Sequence, residues 1–408
     1  MEKNNYEIII FTPYYPIMHR TDLEEDTKAV YYLLKESPDN MNILVAHTYF
    51  HGFKKTMAMI FKLKKFKKNN YYKGKDLYGN DLVFMEFLLM IPKKLNTISF
   101  FYRKYSRILK EHYQRKYRFP HILVFHMPTC YRKLIKFLQM DVPKIAIIHS
   151  FDIKNIRDRK TIKYWKNYME TFQSIGFRSY VIKKEYEELL GIAQNSFLVH
   201  SGLPNNFLQG SNVKRSYHQE DKVKFIFVGK LNENKNLESV LKALEVIKEV
   251  VKFELKIIGV GPQEALLKKM AKDLGIINNV KFIGKVSREK SFEEMKKSDI
   301  FIMTSKKETL GLVYLEAMAA GCIVIGSKGQ GIDGIIKDGE NGYLTDSRNI
   351  KEISDKILET VYLSQEKQDE IRSRAEHTIS NLSDSKVSQD YFAHISLYGL
   401  KGLSHEKN

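Results

Sequence analysis

Cysteine is scarce in this chain: two residues in 408, Cys130 and Cys322. They stand far apart and neither belongs to a Cys-X-X-Cys pair, which argues against a disulfide framework or a thiolate metal site. A reducing compartment, the cytoplasm, follows as the expectation. Long apolar runs are missing too. The longest, from Leu82 to Ile91, is too short to span a bilayer and is interrupted by Glu86. The opening stretch MEKNNYEIIIFTPYYP runs almost directly into a strand, without the apolar core and small-residue cleavage site of a signal peptide. There is no G-X-X-X-X-G-K-[ST] phosphate loop, no Asp-X-Asp pair and no short-period repeat. The reading at this level is a soluble or peripheral protein, with a length that suggests two domains.

Acidic residues are outnumbered, 48 against 67 basic ones, for a net charge of +19. Such an excess points to a polyanionic surface or ligand. It is concentrated. Residues 54–75, KKTMAMIFKLKKFKKNNYYKGK, hold nine lysines and no acid, with Met57, Ile60, Phe61 and Phe66 interleaved. Residues 100–118, FFYRKYSRILKEHYQRKYR, repeat the idea. Either stretch alone reads equally well as the solvated face of an ordinary helix. Together they have the composition of interfacial helices on an anionic membrane.

Short apolar runs alternate with helical patterns. Residues 6–12, 42–47, 121–126, 144–150, 179–182 and 197–202 read as strands. A polar stretch, 210–222, reads as a linker. The alternation then restarts with strands at 224–229, 254–259, 280–284, 299–304 and 322–327. Continuous apolar strands of this kind are covered on both faces, as in parallel sheets. Two such alternations imply two doubly wound α/β domains. The expected boundaries are 1–212 and 222–380. Residues 381–408 form a tail whose segment Ser388 to Leu400 is a helix crossing back to the first domain.

Candidate chemistry gathers at strand ends, where such folds bind ligands. Gly229, Lys230 and Lys235 follow the strand KFIFV, and two lysines there can neutralise a diphosphate; taken alone, they are also ordinary surface lysines. Gly259 and Gly261 open a helix but Glu264 stands where a dinucleotide fingerprint needs glycine, so a tight turn is the simpler reading. In KETLGLVYLEAMAAG, residues 307–321, a strand end gives way to a helix. Its first amides, at Leu310, Gly311 and Leu312, suit an anion. Glu308 stands at the mouth. Glu316 lies inside the helix among apolar neighbours and needs partners, either ribose hydroxyls or a lysine.

Glu308, seven residues and Glu316 resemble the E-X7-E signature of retaining glycosyltransferases with the GT-B fold, especially glycosyltransferase family four. FVGKLNENKNLESVLKAL, IIGVGPQEALLKKMAKDLGIINNVKFIGKV, ETLGLVYLEAMAAGCIVIGS and IIKDGENGYL extend the similarity in order across most of the second half. GIDGII at 331–336 is similar to members that build bacterial capsule or exopolysaccharide. The resemblance implies two Rossmann-like domains facing a cleft. It implies that Lys230 and Lys235 bind the donor diphosphate and that Glu308 binds sugar hydroxyls near the reacting carbon. It places Glu316 on the ribose, and Gly229 and the stretch Thr309, Leu310, Gly311, Leu312 against phosphate and sugar. Arginine is more usual than lysine at position 230. IAIIHSFDI, with His149 and Asp152, resembles the segment whose histidine faces the donor sugar. The loop FTPYYPIMHRTDLEED lacks the glycine pair many members carry there. Without Asp-X-Asp, no metal or other cofactor is expected.

The implied activity is transfer of a hexose or N-acetylhexosamine from a nucleotide sugar, expected to be a UDP-sugar, with retained configuration. The expected acceptor is a saccharide, lipid-linked, in cell-surface polysaccharide synthesis, with the enzyme peripheral at the inner face of the membrane. A GT-B sugar-nucleotide epimerase is the alternative within enzymes. A basic nucleic-acid-binding protein is the alternative outside them; no nucleic-acid motif supports it.

Overall fold

The computed structural model describes residues 6–13, 15, 29–38, 41–51, 71–76, 79–88, 103–104, 106–111, 122–138, 140–159, 161–208 and 222–403. The chain forms two compact units. The first comprises Met1–Arg178, Ile182–Val199 and Val387–Asn408; the second comprises Ser179–Val181 and His200–Lys386. The stretch 210–221 of the expected linker lies outside the described residues. So do residues 54–70 of the first basic segment, and most of the second.

Unit 1 is built on a sheet of eight strands. In sequence they are β1 (Tyr6–Thr12), β2 (Met41–His51), β3 (Tyr71–Lys75), β4 (Asp81–Leu88), β5 (Ile122–His126), β6 (Lys144–Ile148), β7 (Ser174–Phe177) and β8 (Ser196–Leu198). Their spatial order is β3-β4-β2-β1-β5-β6-β7-β8. All neighbours are parallel except β3, which pairs antiparallel with β4 at the edge. The central strands β1, β5 and β6 are buried along nearly their whole length, as their unbroken apolar runs require. β4 takes in residues 82–88 of the apolar run 82–91, weighed in sequence only for its length, the rest of which lies outside the described residues, and Tyr71–Lys75, from the basic segment, is strand rather than helix.

One expected strand is a helix. Of residues 179–182, Tyr180 to Ile182 open α5 in chain order, Tyr180–Leu190, which buries Ile182, Tyr186 and Leu190 at four-residue spacing. That period belongs to a helix face and overrides the β-branched look of its first turn. The strand lies just upstream, at SIGF 174–177. Its glycine hides it from pattern reading: a Cβ at Gly176 would sit 2.6 Å from Ile147 Cδ1, so only glycine lets β7 lie this close to its neighbour's side chain. The helices before α5 include α1 (Ala29–Leu34), α2 (Arg132–Leu138), α3 (Ser150–Arg159) and α4 (Ile162–Met169).

Unit 2 is a six-stranded parallel sheet of β9 (Val223–Val228), β10 (Phe253–Ile258), β11 (Val280–Gly284), β12 (Ile300–Ile302), β13 (Ile323–Ser327) and β14 (Tyr343–Thr345). Its order, β11-β10-β9-β12-β13-β14, reverses direction between β9 and β12. That is the topological switch point, where the loops leaving the two strands part and open a crevice. The helices are α6 (Leu237–Ile247), α7 (Glu264–Asp273), α8 (Arg288–Met295), α9 (Leu312–Ala319), α10 (Ile350–Val361), α11 (Gln365–Ser380) and α12 (Asp384–Leu403). From Val387 onward, α12 belongs to unit 1. There Ser388 Oγ donates to the Leu33 carbonyl at 2.7 Å, and His394 stacks on Phe197 at 4.6 Å.

The glycines of the broken dinucleotide fingerprint have a packing role. Gly229 N donates to Ile258 O, Leu231 N to Val260 O and Gln263 N to Leu231 O, so the loops after β9 and β10 lie backbone against backbone. A Cβ at Gly259, where φ is +139°, would fall 1.9 Å from Gly229 O; one at Gly261 would fall 2.2 Å from Leu231 O. Gly259→Ala is therefore expected to lower stability by about 3 kcal/mol, because both strain and overpacking act at one site. Denaturant titration checks this, and a loss below about 1 kcal/mol would mean that the two loops separate easily.

Candidate functional site

Two loops line the crevice of unit 2, one leaving β9 and the other leaving β12. After β9 come Gly229, an exposed Lys230 and a single 3-10 turn. Asn232 Oδ1 accepts from the Lys235 amide at 3.1 Å. Asn236, with φ 53° and 2% exposed, pins the turn from below. Its Nδ2 donates to Thr304 O at 3.0 Å and Ser347 O at 2.8 Å, while its Oδ1 accepts from Ser239 Oγ at 3.0 Å. Such a satisfied buried amide holds a loop more rigidly than apolar contact does. The loop is thus tied to β12, and Lys306 N donates to Asn234 O at 2.7 Å.

After β12 the chain delivers Glu308. Its amide donates to Gln330 Oε1 at 2.9 Å, and its carbonyl accepts from the Gly331 amide at 3.0 Å. Gly331 is backed so closely onto Thr309 that a Cβ would lie 2.0 Å from that carbonyl. The Glu308 carboxylate is ion-paired with Lys235 Nζ. The side chains are 17% and 21% exposed respectively, which leaves both reachable by a ligand. The Lys230 side chain has no hydrogen bond or ion pair among the described residues, while its carbonyl accepts from the Asn232 amide at 2.9 Å.

Gly311, φ 78°, is the N-cap of α9 and supplies no side-chain cap. A Cβ there would meet the Tyr314 ring at 2.6 Å and Glu308 Cγ at 3.1 Å, so the turn demands glycine on grounds of both conformation and space. Tyr314, fully buried, donates its hydroxyl to Met303 O at 2.8 Å and locks the helix start onto β12. The uncapped first turn keeps its amides and positive dipole end at the crevice. The sequence-identified residues Gly229, Lys230, Lys235, Glu308, Thr309, Leu310 and Gly311 therefore lie on the two loops that leave the switch-point strands, and Leu312 is the first residue of α9.

Glu316 lies deeper and is 7% exposed. Its partner within the protein is an arginine, not the lysine weighed from sequence. Arg288, at the start of α8, places Nε 2.8 Å and Nη2 2.7 Å from the same oxygen, Oε1. The guanidinium also lies over the Phe207 ring, 4.8 Å from its centre. Oε2 has no hydrogen-bond partner among the described residues. Arg288, Gln330 and Asn236 were missed in sequence. Asn236 had a faint signal, an asparagine directly before a periodic helix; the other two had none.

His149 and Asp152 belong to unit 1. His149 follows β6 and is 7% exposed; its Nε2 lies 3.3 Å from His126 Nδ1. Asp152 is fully buried. Its Oδ2 accepts from the His149 amide at 2.9 Å, as the third residue of α3 reaching back to the cap position. Its Oδ1 accepts from the Thr129 amide at 3.0 Å and Thr129 Oγ1 at 2.6 Å. Asp152 thus staples the loops after β5 and β6. Burial pushes its carboxyl up to about 7, against these hydrogen bonds, which pull it down. Of the loop FTPYYPIMHRTDLEED only Phe11–Pro13 and Tyr15 are among the described residues.

Among the described residues, no group of three or more His, Cys, Asp and Glu could hold a metal ion, and no helix is long and apolar enough to cross a membrane.

Residues 210–378 match the family model described as glycosyl transferases group 1. N-acetyl-alpha-D-glucosaminyl L-malate synthase of Bacillus anthracis is 30% identical over 150 residues, 36% of this chain and 39% of that protein. The chain spans between 39% and 60% of the length of the first curated relatives it matches. Among solved structures, a glycosyltransferase from Rickettsia africae superposes with a TM-score of 0.67 at 13% identity, covering 98% of this chain and 99% of that one. Anabaena HepE, in complex with UDP and glucose, gives a TM-score of 0.63 at 15% identity, covering 96% of this chain and 100% of that one. Both likenesses show the GT-B fold.

Proposed function

From a chain that has the GT-B fold and is related to the group 1 glycosyl transferases, we infer a retaining glycosyltransferase that takes its sugar from a nucleotide sugar. The observation that carries the reading is the crevice at the unit 2 switch point. An ion-paired Lys235–Glu308, an unpaired Lys230 and an uncapped helix start meet there. Two cations and free amides suit a diphosphate; a carboxylate beside them suits sugar hydroxyls. The HepE complex supports UDP as the nucleotide, and the Bacillus relative's name supports a hexose or N-acetylhexosamine.

In this reading the diphosphate draws Lys235 and Lys230 towards itself and meets the amides around Leu310–Leu312. Glu308 turns to the sugar hydroxyls, and Glu316 Oε2 takes the ribose diol while Arg288 retains Oε1. The bond from the anomeric carbon to the diphosphate oxygen breaks, and its electron pair leaves with the diphosphate. The acceptor hydroxyl then bonds to the same face of that carbon and passes its proton to the departing phosphate. Fixed positive charge stabilises the leaving group, a role that requires no metal here. His149 is the contribution of unit 1, to which the acceptor is also assigned.

The test is nucleotide release from UDP-, GDP- and ADP-sugars by purified protein in chelator. Slow release from one donor, with the sugar recovered, is expected. Loss of all release on adding chelator would remove the metal-free scheme. Conversion of the donor to an epimer would favour an epimerase instead.

The acceptor is assigned to a membrane-bound, lipid-linked saccharide of cell-surface polysaccharide synthesis, on the composition of the basic segments 54–75 and 100–118. Changing the lysines from Lys62 to Lys68 to glutamine should weaken sedimentation with anionic vesicles by roughly tenfold or more, at about 1 kcal/mol per charge near such a surface. Unchanged sedimentation would sink the membrane assignment.

A further inference from the structure

Unit 1 holds a buried line of three titratable side chains, of which only His149 has been given a role. Tyr391 on α12 places its hydroxyl 3.0 Å from His126 Nε2, and His126 Nδ1 lies 3.3 Å from His149 Nε2. Tyr391 and His126 are 265 residues apart in sequence, and both are essentially fully buried. Each link needs one proton and one lone pair. Burial, with the positive charge of Arg178 adding to it, holds both imidazoles well below their ordinary range, so both are neutral at pH 7.

A line of one phenol and two neutral imidazoles has two coherent settings. In one, Tyr391 donates to His126 Nε2, His126 Nδ1–H donates to His149 Nε2, and His149 carries its proton on Nδ1. In the other every proton is reversed. Arg178, itself buried, interacts electrostatically with Tyr391 and with both histidines. The first setting leaves the phenol's lone pairs to the positive charge of Arg178 and turns the O–H to His126, and it is the setting assigned to this line.

We propose that Tyr391 and His126 are positioning residues that fix the ring angle of His149 and hold its proton on Nδ1. The proposal rests on the reading of His149 as a residue of the transfer reaction. One nitrogen's hydrogen bond decides what the other nitrogen offers, so a phenol on the C-terminal helix determines what His149 can donate.

The test uses full-length protein with 15N-labelled histidine and long-range proton–nitrogen correlation spectra, the His149 signals assigned through His149→Asn. Wild type should show His149 as a single neutral tautomer protonated on Nδ1. Tyr391→Phe should convert it to the other tautomer or a mixture. It should also lower kcat for donor consumption roughly tenfold, with KM for the donor within about threefold. Ser388→Ala, on the same helix but off the line, should change neither. Equal effects from Ser388→Ala would mean that only the seating of the helix matters, and would overturn the proposal. So would a shifted tautomer with unchanged kcat. If Tyr391→Phe does not fold, the wild-type spectrum decides alone: His149 protonated on Nε2, or a mixture, contradicts the assignment. Because the spectra require no turnover, they remain decisive if the protein proves to transfer no sugar.

Discussion

Glu308→Gln is expected to lower kcat by about 10²–10³, with the donor KM changing far less, because the lost contacts strengthen as charge develops at the sugar. The substitution keeps the shape of the side chain. It keeps the backbone frame as well, since Gln330 and the Gly331 amide hold the main chain of residue 308 and not its carboxylate. What disappears is the negative charge that pairs with Lys235. The pair is partly exposed, so its loss should cost stability no more than about 1 kcal/mol. The fold should therefore survive and allow kinetics to be read cleanly. Activity within threefold of wild type would show that Glu308 serves only as the counter-ion of Lys235.

Removing the cations acts on the other partner. In the proposed reading, Lys235→Ala takes away one of two diphosphate ligands and leaves Glu308 beside the incoming phosphates. Repulsion then replaces attraction, and kcat/KM for the donor should fall by about 10²–10³. Lys230→Ala should cost less, about tenfold, since Lys230 is exposed and its charge is screened. Lys230→Arg separates charge from geometry. A guanidinium can grip two phosphate oxygens where an ammonium offers a point charge. That variant should match or exceed wild type in kcat, and steady-state kinetics with a range of donor concentrations resolves the set. A Lys235→Ala enzyme with unaltered donor kinetics would place the diphosphate elsewhere.

Much of this site was legible because the residues that touch a ligand in such folds follow strands, and strands announce themselves. FIFV and IFIM are unbroken apolar runs, so Lys230, Lys235 and Glu308 could be placed after strand ends from sequence alone. The helix from Leu312 was legible for the same reason. The fold failed to read where packing overrode pattern. Gly176 diluted the SIGF strand, although the glycine is there to admit Ile147. Tyr180 and its neighbours imitated a strand until Tyr186 and Leu190 revealed the helical period. β14 is three residues long, too short to carry any period.

The supporting contacts were illegible for a different reason. Arg288 reaches Glu316 from 28 residues upstream, and Tyr391 reaches His126 from 265 residues downstream. Nothing local marks either pair. Asp152 was read with His149 as a motif, and in three dimensions its work is to staple two loops. A sequence motif names residues that stand together and leaves open which of them faces the ligand.

The most direct test of the central claim is calorimetric titration of the purified protein with UDP in chelator, beside Lys235→Ala and Glu316→Gln. The expected result is one-to-one binding to the wild type, weakened tenfold or more in both variants, the first through lost diphosphate charge and the second through the ribose contact. Binding of UDP to wild type and both variants with equal affinity would contradict the assignment of the nucleotide to this crevice, and failure to bind UDP, GDP or ADP at all would contradict the donor site itself.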